Sequence, residues 1–151
     1  MLQQIIELWM SKIANIDDSE EPLVEIENYV RSKMEFSRRH PEASRIFDTD
    51  ILGGHANILK EIETEIRPIV ARKCRLINSW IKKGKIRPTD PLNLFFAIWG
   101  ITEYYANFAS EIGVFFDGKP MSDAQYQRTV KTVVELIVNG LRPAGTRVIS
   151  V

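Results

Sequence analysis

The chain of 151 residues has the length of one domain, and its 44% hydrophobic and 26% charged residues are ordinary for a folded protein. Lys and Arg together number 20, as do Asp and Glu, so the formal net charge is zero. This balance argues against a chain that binds nucleic acid through its overall charge, because such domains are usually basic. The single cysteine, Cys74, excludes an internal disulfide framework and a cysteine-rich zinc site.

The N-terminal stretch lacks the basic segment and the cleavage site of a signal peptide, and no apolar run is long enough to span a membrane. We therefore expect a cytoplasmic protein with no membrane partner. An amphipathic helical pattern is already under way at the first residues, without a cap ahead of it. This start suggests a chain from which a preceding segment is missing.

Apolar residues recur at helical spacing along almost the whole chain, whereas strand signals are weak, so we predict an all-α fold of about six helices. The first helix begins at the N-terminus. The second has Ser19 as its expected N-cap and Pro22 in its first turn. Pro41 ends the second helix and opens the short third one, which Gly53 and Gly54 close.

The fourth helix is the longest predicted, from about Ala56 to Lys82. It contains Pro68, and a proline inside a straight helix costs about 3 kcal/mol. We therefore expect a kink or a break near Ile66. Lysines in the last turn and Gly84 just beyond it are typical of a helix end.

The fifth helix begins with Asp90 as N-cap and Pro91 in the first position, and is expected to run to about Phe115. Within residues 92–108 only Glu103 is charged. A helix that is apolar all round must be covered on nearly every side. In a small domain, its own core covers one side and a second chain covers the other.

The sixth helix starts from a capping box formed by Ser122 and Gln125 and ends before Pro143. We expect a domain over residues 1–143, followed by a tail over residues 144–151.

One polar group of residues stands among the aromatic residues of the fifth helix. Trp99 precedes Thr102 and Glu103 by about one turn, which places the three on one side. Apolar walls with a few polar groups are typical of a small-molecule pocket, and Trp99 could stack on a planar ligand. A buried carboxylate must be paired or its pKa rises, and Lys33 and Arg45 are the candidate partners of Glu103. Plain core packing is the alternative for the same pattern.

Chemistry of other kinds is not indicated. The two histidines, His40 and His55, have no spacing that favours a metal site, and no phosphate-binding loop or nucleophile motif is present. Cys74 is more typical of a buried thiol than of a nucleophile. We therefore expect no metal, no cofactor and no enzymatic activity.

Several stretches match the pattern of a known family: 29–38 (YVRSKMEFSR), 41–47 (PEASRIF), 77–86 (INSWIKKGKI) and, most specifically, Asp90-Pro91 followed by 96–102 (FAIWGIT) and 105–109 (YANFA). On these stretches the chain resembles the ligand-binding and dimerisation region of TetR-family transcriptional regulators. The resemblance runs from about Leu2 to Pro143. Its details are similar to the subgroup that contains a pyrimidine-utilisation regulator.

The resemblance implies a TetR-type C-terminal helical bundle with a pocket inside each subunit. It also implies a homodimer in which the last two long helices of each copy form a four-helix bundle. Family members carry an N-terminal helix-turn-helix domain that is missing here, so DNA would be bound only through that domain. A small effector would release the parent repressor from operator DNA by favouring the state in which the paired DNA-binding domains are out of position for the operator.

The expected pocket consists of Trp99, Thr102 and Glu103, with Phe36, Phe47 and Cys74 as further lining. The expected dimer interface consists of Ile101, Tyr104, Phe108, Val130, Val134 and Ile137.

The effector implied by the resemblance is a planar heterocycle, of which a pyrimidine is one example. Pyrimidine-responsive relatives tend to carry a glutamine where Glu103 stands, and an ionised carboxylate accepts hydrogen bonds but cannot donate them. A uracil-like ligand therefore fits less well, and the identity of the effector stays open. Two other functions also stay open at this point: a stand-alone helical dimerisation module without a working pocket, and a small helical enzyme, for which the sequence offers least support.

Overall fold

The computed structural model describes residues 2–145 and Ser150. No strand occurs within this part of the chain, which confirms the all-α prediction. The elements in chain order are α1 (Leu2–Ala14), α2 (Pro22–Arg39), α3 (Pro41–Leu52), α4 (Ala56–Glu61), a π-helical turn (Ile62–Ile66), α5 (Arg67–Lys82), α6 (Pro91–Asn107), α7 (Ala109–Val114) and α8 (Asp123–Leu141). The tail expected over residues 144–151 lies mostly outside the described residues.

Two predicted helix starts are confirmed by their caps. Asp90 Oδ1 accepts a hydrogen bond from the backbone N–H of Asn93 at 3.0 Å. Ser122 and Gln125 form the complete capping box, each side chain accepting from the backbone N–H of the other residue. The predicted cap of α2 is wrong, because Glu21 occupies the N-cap and the Ser19 hydroxyl accepts only the N–H of Glu21 ahead of it.

The break expected near Ile66 is confirmed, and it takes the form of a widened turn. The N–H of Arg67 bonds the carbonyl of Ile62, five residues back, instead of the usual four. Pro68 follows in the first turn of α5, where a proline is best tolerated. The π-helical turn therefore lets one long helical stretch continue past a proline.

The single fifth helix expected to reach Phe115 is wrong. Phe108 has φ −113° and ψ 31°, so α6 ends at Asn107 and the short α7 begins after the break. Neither proline nor glycine marks the position. The side chain of Asn107 donates to the carboxylate of Asp48 on α3, which ties the end of α6 to another helix.

Helix α2 lies at the centre of the fold, packed against α6 on one side and α8 on the other, while α1 packs against α5, α2 and α3. The fully buried side chains include Trp80, Phe95 and Met34. The loop after α5 is tied to the end of α8, because the N–H of Arg87 donates to the carbonyl of Leu141 at 3.0 Å. Among the described residues, no helix combines the length and the apolar character needed to cross a membrane.

Candidate functional site

A cavity of about 750 Å³ lies between α1, α3, the stretch from α4 to α5, and α6. Its inner wall is apolar and includes the buried side chains of Trp9, Phe47, Ile66 and Val70. The outer lining includes exposed residues, among them Phe96 of α6. The π-helical turn contributes to this wall, so the widened backbone is part of the cavity.

Aromatic rings in contact with one another build one side of the cavity. The ring centroids of Trp9 and Trp99 are 4.8 Å apart, those of Phe96 and Trp99 5.7 Å, and those of Trp9 and Phe47 5.9 Å. The indole N–H of Trp99 donates to the hydroxyl of Tyr29 at 2.8 Å, which fixes the orientation of the ring. Rings held in this way offer a preformed surface to a planar ligand.

A charged group lies beside the aromatic wall. The ammonium of Lys33, on α2, is fully buried and lies 3.1 Å from Oε1 of Glu103 on α6. The same ammonium lies 4.5 Å from the ring centroid of Trp9. Asp48 of α3 approaches the pair and accepts a hydrogen bond from the amide of Asn107. Glu103 and Asp48 line the cavity, whereas Lys33 lies behind them.

Burial governs the protonation of these groups. It raises the pKa of Glu103, an effect that Lys33 opposes and the nearby Asp48 reinforces. Burial also raises the pKa of Asp48, against the effects of the Asn107 hydrogen bond and of Lys33. It lowers the pKa of Lys33, against the effect of Glu103. Two carboxylates therefore compete for one buried ammonium.

The structure brings four of the six expected pocket residues together in this cavity: Trp99, Glu103, Phe47 and Cys74. Lys33 is the partner of Glu103, as one of the two candidates predicted, whereas Arg45 is exposed and lines a separate groove.

Thr102 and Phe36 lie elsewhere. The Thr102 side chain is fully buried, and its hydroxyl donates to the carbonyl of Ile98 at 2.9 Å. Successive side chains of a helix point about 100° apart around its axis. Thr102 and Glu103 therefore point to opposite sides of Trp99 and do not face the same cavity. Phe36 lines the groove that also contains Arg45.

Sequence reasoning missed Asp48 and Trp9 as cavity residues. Trp9 belonged to the apolar stripe of the first helix, where nothing distinguishes a cavity wall from core. Asp48 follows Phe47 and precedes Ile51 by one turn, and both neighbours line the cavity. A carboxylate flanked by apolar residues in this way was the signal that could have found it.

The expected interface residues fall into two sets. Tyr104 and Phe108 are substantially exposed, and their rings stack with centroids 4.8 Å apart. Ile101 is partly exposed. The other three are buried in the core of their own subunit because the side of α8 that carries them packs against α2: Val130, Val134 and Ile137. The outward side of α8 presents Leu136 instead, which is 68% exposed.

Within the described residues, no group of three or more His, Cys, Asp or Glu side chains is arranged to hold a metal ion.

The sequence model of the family described as "YcdC-like protein, C-terminal region" matches residues 2–144. The chain therefore belongs to the TetR family of transcriptional regulators, and it corresponds to the C-terminal region of YcdC-like members. It is 33% identical over 143 residues to the HTH-type transcriptional regulator RutR of Escherichia coli K12, a match that covers 95% of this chain and 68% of that protein. RutR of Shigella flexneri and of Escherichia coli O157:H7 match with the same values. These relatives are named as regulators of transcription.

Proposed function

We propose that the chain is the effector-binding and homodimerising part of a cytoplasmic TetR-family repressor. A small molecule bound in the cavity would release the parent protein from operator DNA, which a helix-turn-helix domain outside this chain would bind. The observation that carries this proposal is the cavity itself, with its aromatic wall and the carboxylates of Glu103 and Asp48. A module that served only for association would not need such a cavity.

The size and chemistry of the cavity support ligand binding. Its volume of about 750 Å³ lies within the range of roughly 300–1,000 Å³ that is usual for small-molecule sites. The lining is mostly apolar, with a few polar groups that could orient a ligand. Trp99 is held by Tyr29, so its ring is already oriented before a ligand binds.

Helix α1 offers a route from ligand to DNA. Trp9 of α1 contacts Trp99 and lines the cavity. A ligand that touches Trp9 would therefore favour one placement of α1 over another. In the parent protein, α1 would adjoin the DNA-reading domain. Operator affinity then falls by the difference in ligand affinity between the two arrangements.

The exposed apolar side chains of α6 and α8 support dimerisation. Tyr104 on α6, Phe108 just beyond its end and Leu136 on α8 are exposed to water in the single chain. Gly100 and Gly140 have open space at the position of a Cβ atom, so a second helix could approach both helices closely. We expect a homodimer that buries about 2,000 Å² or more, as obligate dimers do.

Ligand-dependent melting tests the proposed binding. A panel of neutral and charged planar heterocycles, uracil and thymine included, should contain a compound that raises the melting temperature, because a ligand of the folded state stabilises it. Trp99→Ala should abolish the shift, whereas Phe115→Ala, which removes an exposed ring outside the cavity, should preserve it. A stable dimer that responds to no compound would favour the association module.

A further inference from the structure

We propose that the cavity selects an organic cation: a planar aromatic compound that carries a protonated amine, amidine or guanidine group. This inference rests on the proposed ligand-binding function and specifies the chemistry of the ligand. It is carried by two carboxylates that line an aromatic cavity and share one buried ammonium between them.

The charges around the cavity leave one negative charge uncompensated. Glu103 and Asp48 reach the cavity, and Lys33 is the ammonium beside them. The three groups have a formal sum of −1. Either a proton or a cation from outside balances this charge, because an isolated charge is costly in a poorly solvated place.

The remaining charged groups of the lining do not alter this sum. Glu63 and Arg67 lie on the exposed outer part, and their charged ends are 3.8 Å apart, so they compensate each other. Burial raises the pKa of the Cys74 thiol, which keeps this group neutral near pH 7. The excess negative charge therefore belongs to the end of the cavity where Glu103 and Asp48 lie.

At the end of the cavity where Glu103 and Asp48 lie, the hydrogen-bonding groups are mainly acceptors. The N–H of Trp99 is already used by Tyr29, and the N–H of Trp9 is directed at Glu103. Two carboxylates remain to accept, so a ligand rich in N–H groups is complementary to them. A neutral pyrimidine brings carbonyl oxygens that would find few donors there.

The aromatic wall favours the same class of ligand. Cations are attracted to the faces of aromatic rings, and most strongly to tryptophan. Trp9 already has the ammonium of Lys33 at 4.5 Å from its ring centroid. Trp99, Phe96 and Phe47 offer further rings to a planar cation.

Matched pairs of ligands test the inference by isothermal titration calorimetry on the full chain. 9-Aminoacridine, which is protonated at neutral pH, is compared with acridone, a neutral ring system of similar outline. Benzamidine is compared with benzamide in the same way. We expect each cation to bind about tenfold more tightly than its neutral counterpart, the effect of one favourable charge contact.

Two nearly isosteric variants locate the effect. Glu103→Gln and Asp48→Asn should each weaken cation binding about tenfold while changing the affinity for the neutral compound little. Glu65→Gln serves as the matched control, because this exposed carboxylate lies on the π-helical turn but outside the lining. Circular dichroism checks that each variant is folded, and Asp48→Asn preserves the test if Glu103→Gln does not fold.

The outcomes separate the inference from the function on which it rests. Tight binding of acridone or benzamide, with the cations no better, would overturn the cation inference and leave ligand binding in place. Cation binding that both carboxylate variants leave unchanged would also overturn it. If none of the heterocycles in the wider panel binds, the proposed function itself fails.

Discussion

The ammonium of Lys33 and the carboxylate of Glu103 lie 3.1 Å apart, although one group comes from α2 and the other from α6, 70 positions later in the chain. The two helices pack against each other, and the Lys33 side chain has almost no contact with solvent. Each of the two charges is therefore tolerated mainly because the other is present. This dependence makes the pair sensitive to the loss of either partner.

Lys33→Met should lower the free energy of unfolding by about 3 kcal/mol, because it leaves Glu103 without its cation in a poorly solvated position. The double variant Lys33→Met, Glu103→Leu should recover much of this loss, since the remaining carboxylate, Asp48, keeps its hydrogen bond from Asn107. Urea denaturation of the wild type, both single variants and the double variant measures the coupling. A Lys33→Met protein as stable as the wild type would show that the pair does not support the fold.

The free energy of unfolding should fall as the pH rises above 4.5, the ordinary value for the carboxyl of Glu103. Burial raises the pKa of this carboxyl, so the folded state binds more protons than the unfolded state between the ordinary and the raised pKa. Asp48, whose pKa burial also raises, acts in the same direction above its ordinary value of 3.8. Glu103→Gln should flatten this decline, as measured by urea denaturation between pH 4.5 and 7.

Groups with a lowered pKa act in a different window. Burial would raise the pKa of Glu35, but hydrogen bonds from Tyr126 and Arg39 and the charges of the neighbouring arginines together lower it. Its contribution to stability is therefore lost only as the pH falls below 4.5. Glu65→Gln is the control variant and should keep the wild-type slope above 4.5. An unchanged slope in Glu103→Gln would mean that this carboxyl titrates alike in the folded and unfolded states.

Phe108→Glu should convert the proposed dimer into a monomer at micromolar concentration, because a charge replaces an apolar ring that would be buried between two copies. Sedimentation velocity measures the change in mass. Leu52→Glu is the matched control: Leu52 is 88% exposed at the end of α3 and is not one of the proposed interface residues, so the variant should remain a dimer. Dimers of undiminished stability in Phe108→Glu would place the interface on another face.

Pro68→Ala should lower ligand affinity while leaving the free energy of unfolding within about 1 kcal/mol of the wild type. An alanine restores an N–H that can bond the carbonyl of Thr64, so the π-helical turn can tighten to an ordinary α-turn. Tightening would rotate Ile62, which lines the cavity, relative to α5. Methyl NMR of Ile62 and calorimetry with the best ligand of the panel report the two effects.

Pro120→Ala, a proline outside this cavity, is the control and should change neither measurement. If Pro68→Ala binds its ligand as the wild type does, the widened turn has no part in the shape of the cavity.

The parts of the fold that depend on neighbouring residues were predictable from the sequence. The caps at Asp90 and Ser122 require only side chains a few positions from the helix start, and the break before Pro68 follows from a missing N–H. The break at Phe108 was not predictable, because no helix-breaking residue marks it. Asn107 reaches Asp48 on a distant helix there, and spacing along one helix contains no such information.

The candidate site was predictable in part for the same reason. Trp99 and Glu103 share a side of α6, and this follows from helical spacing alone. The packing of α2 and α3 determines which residues on that side of α6 face the core, and it buries Thr102. Lys33 and Asp48 joined the site through contacts between helices, so the sequence offered Lys33 only as a candidate partner and Asp48 was missed.

The backbone hydrogen bond from Arg87 to Leu141 ties the segment that follows α5 to the last residue of α8. Helix α5 forms a wall of the cavity, and α8 presents Leu136 on its outward side. An incoming molecule that displaces α5 therefore strains the anchor point of α8. Ligand binding and dimerisation should then be thermodynamically linked, so that the dimerisation constant differs between the ligand-bound and the ligand-free chain.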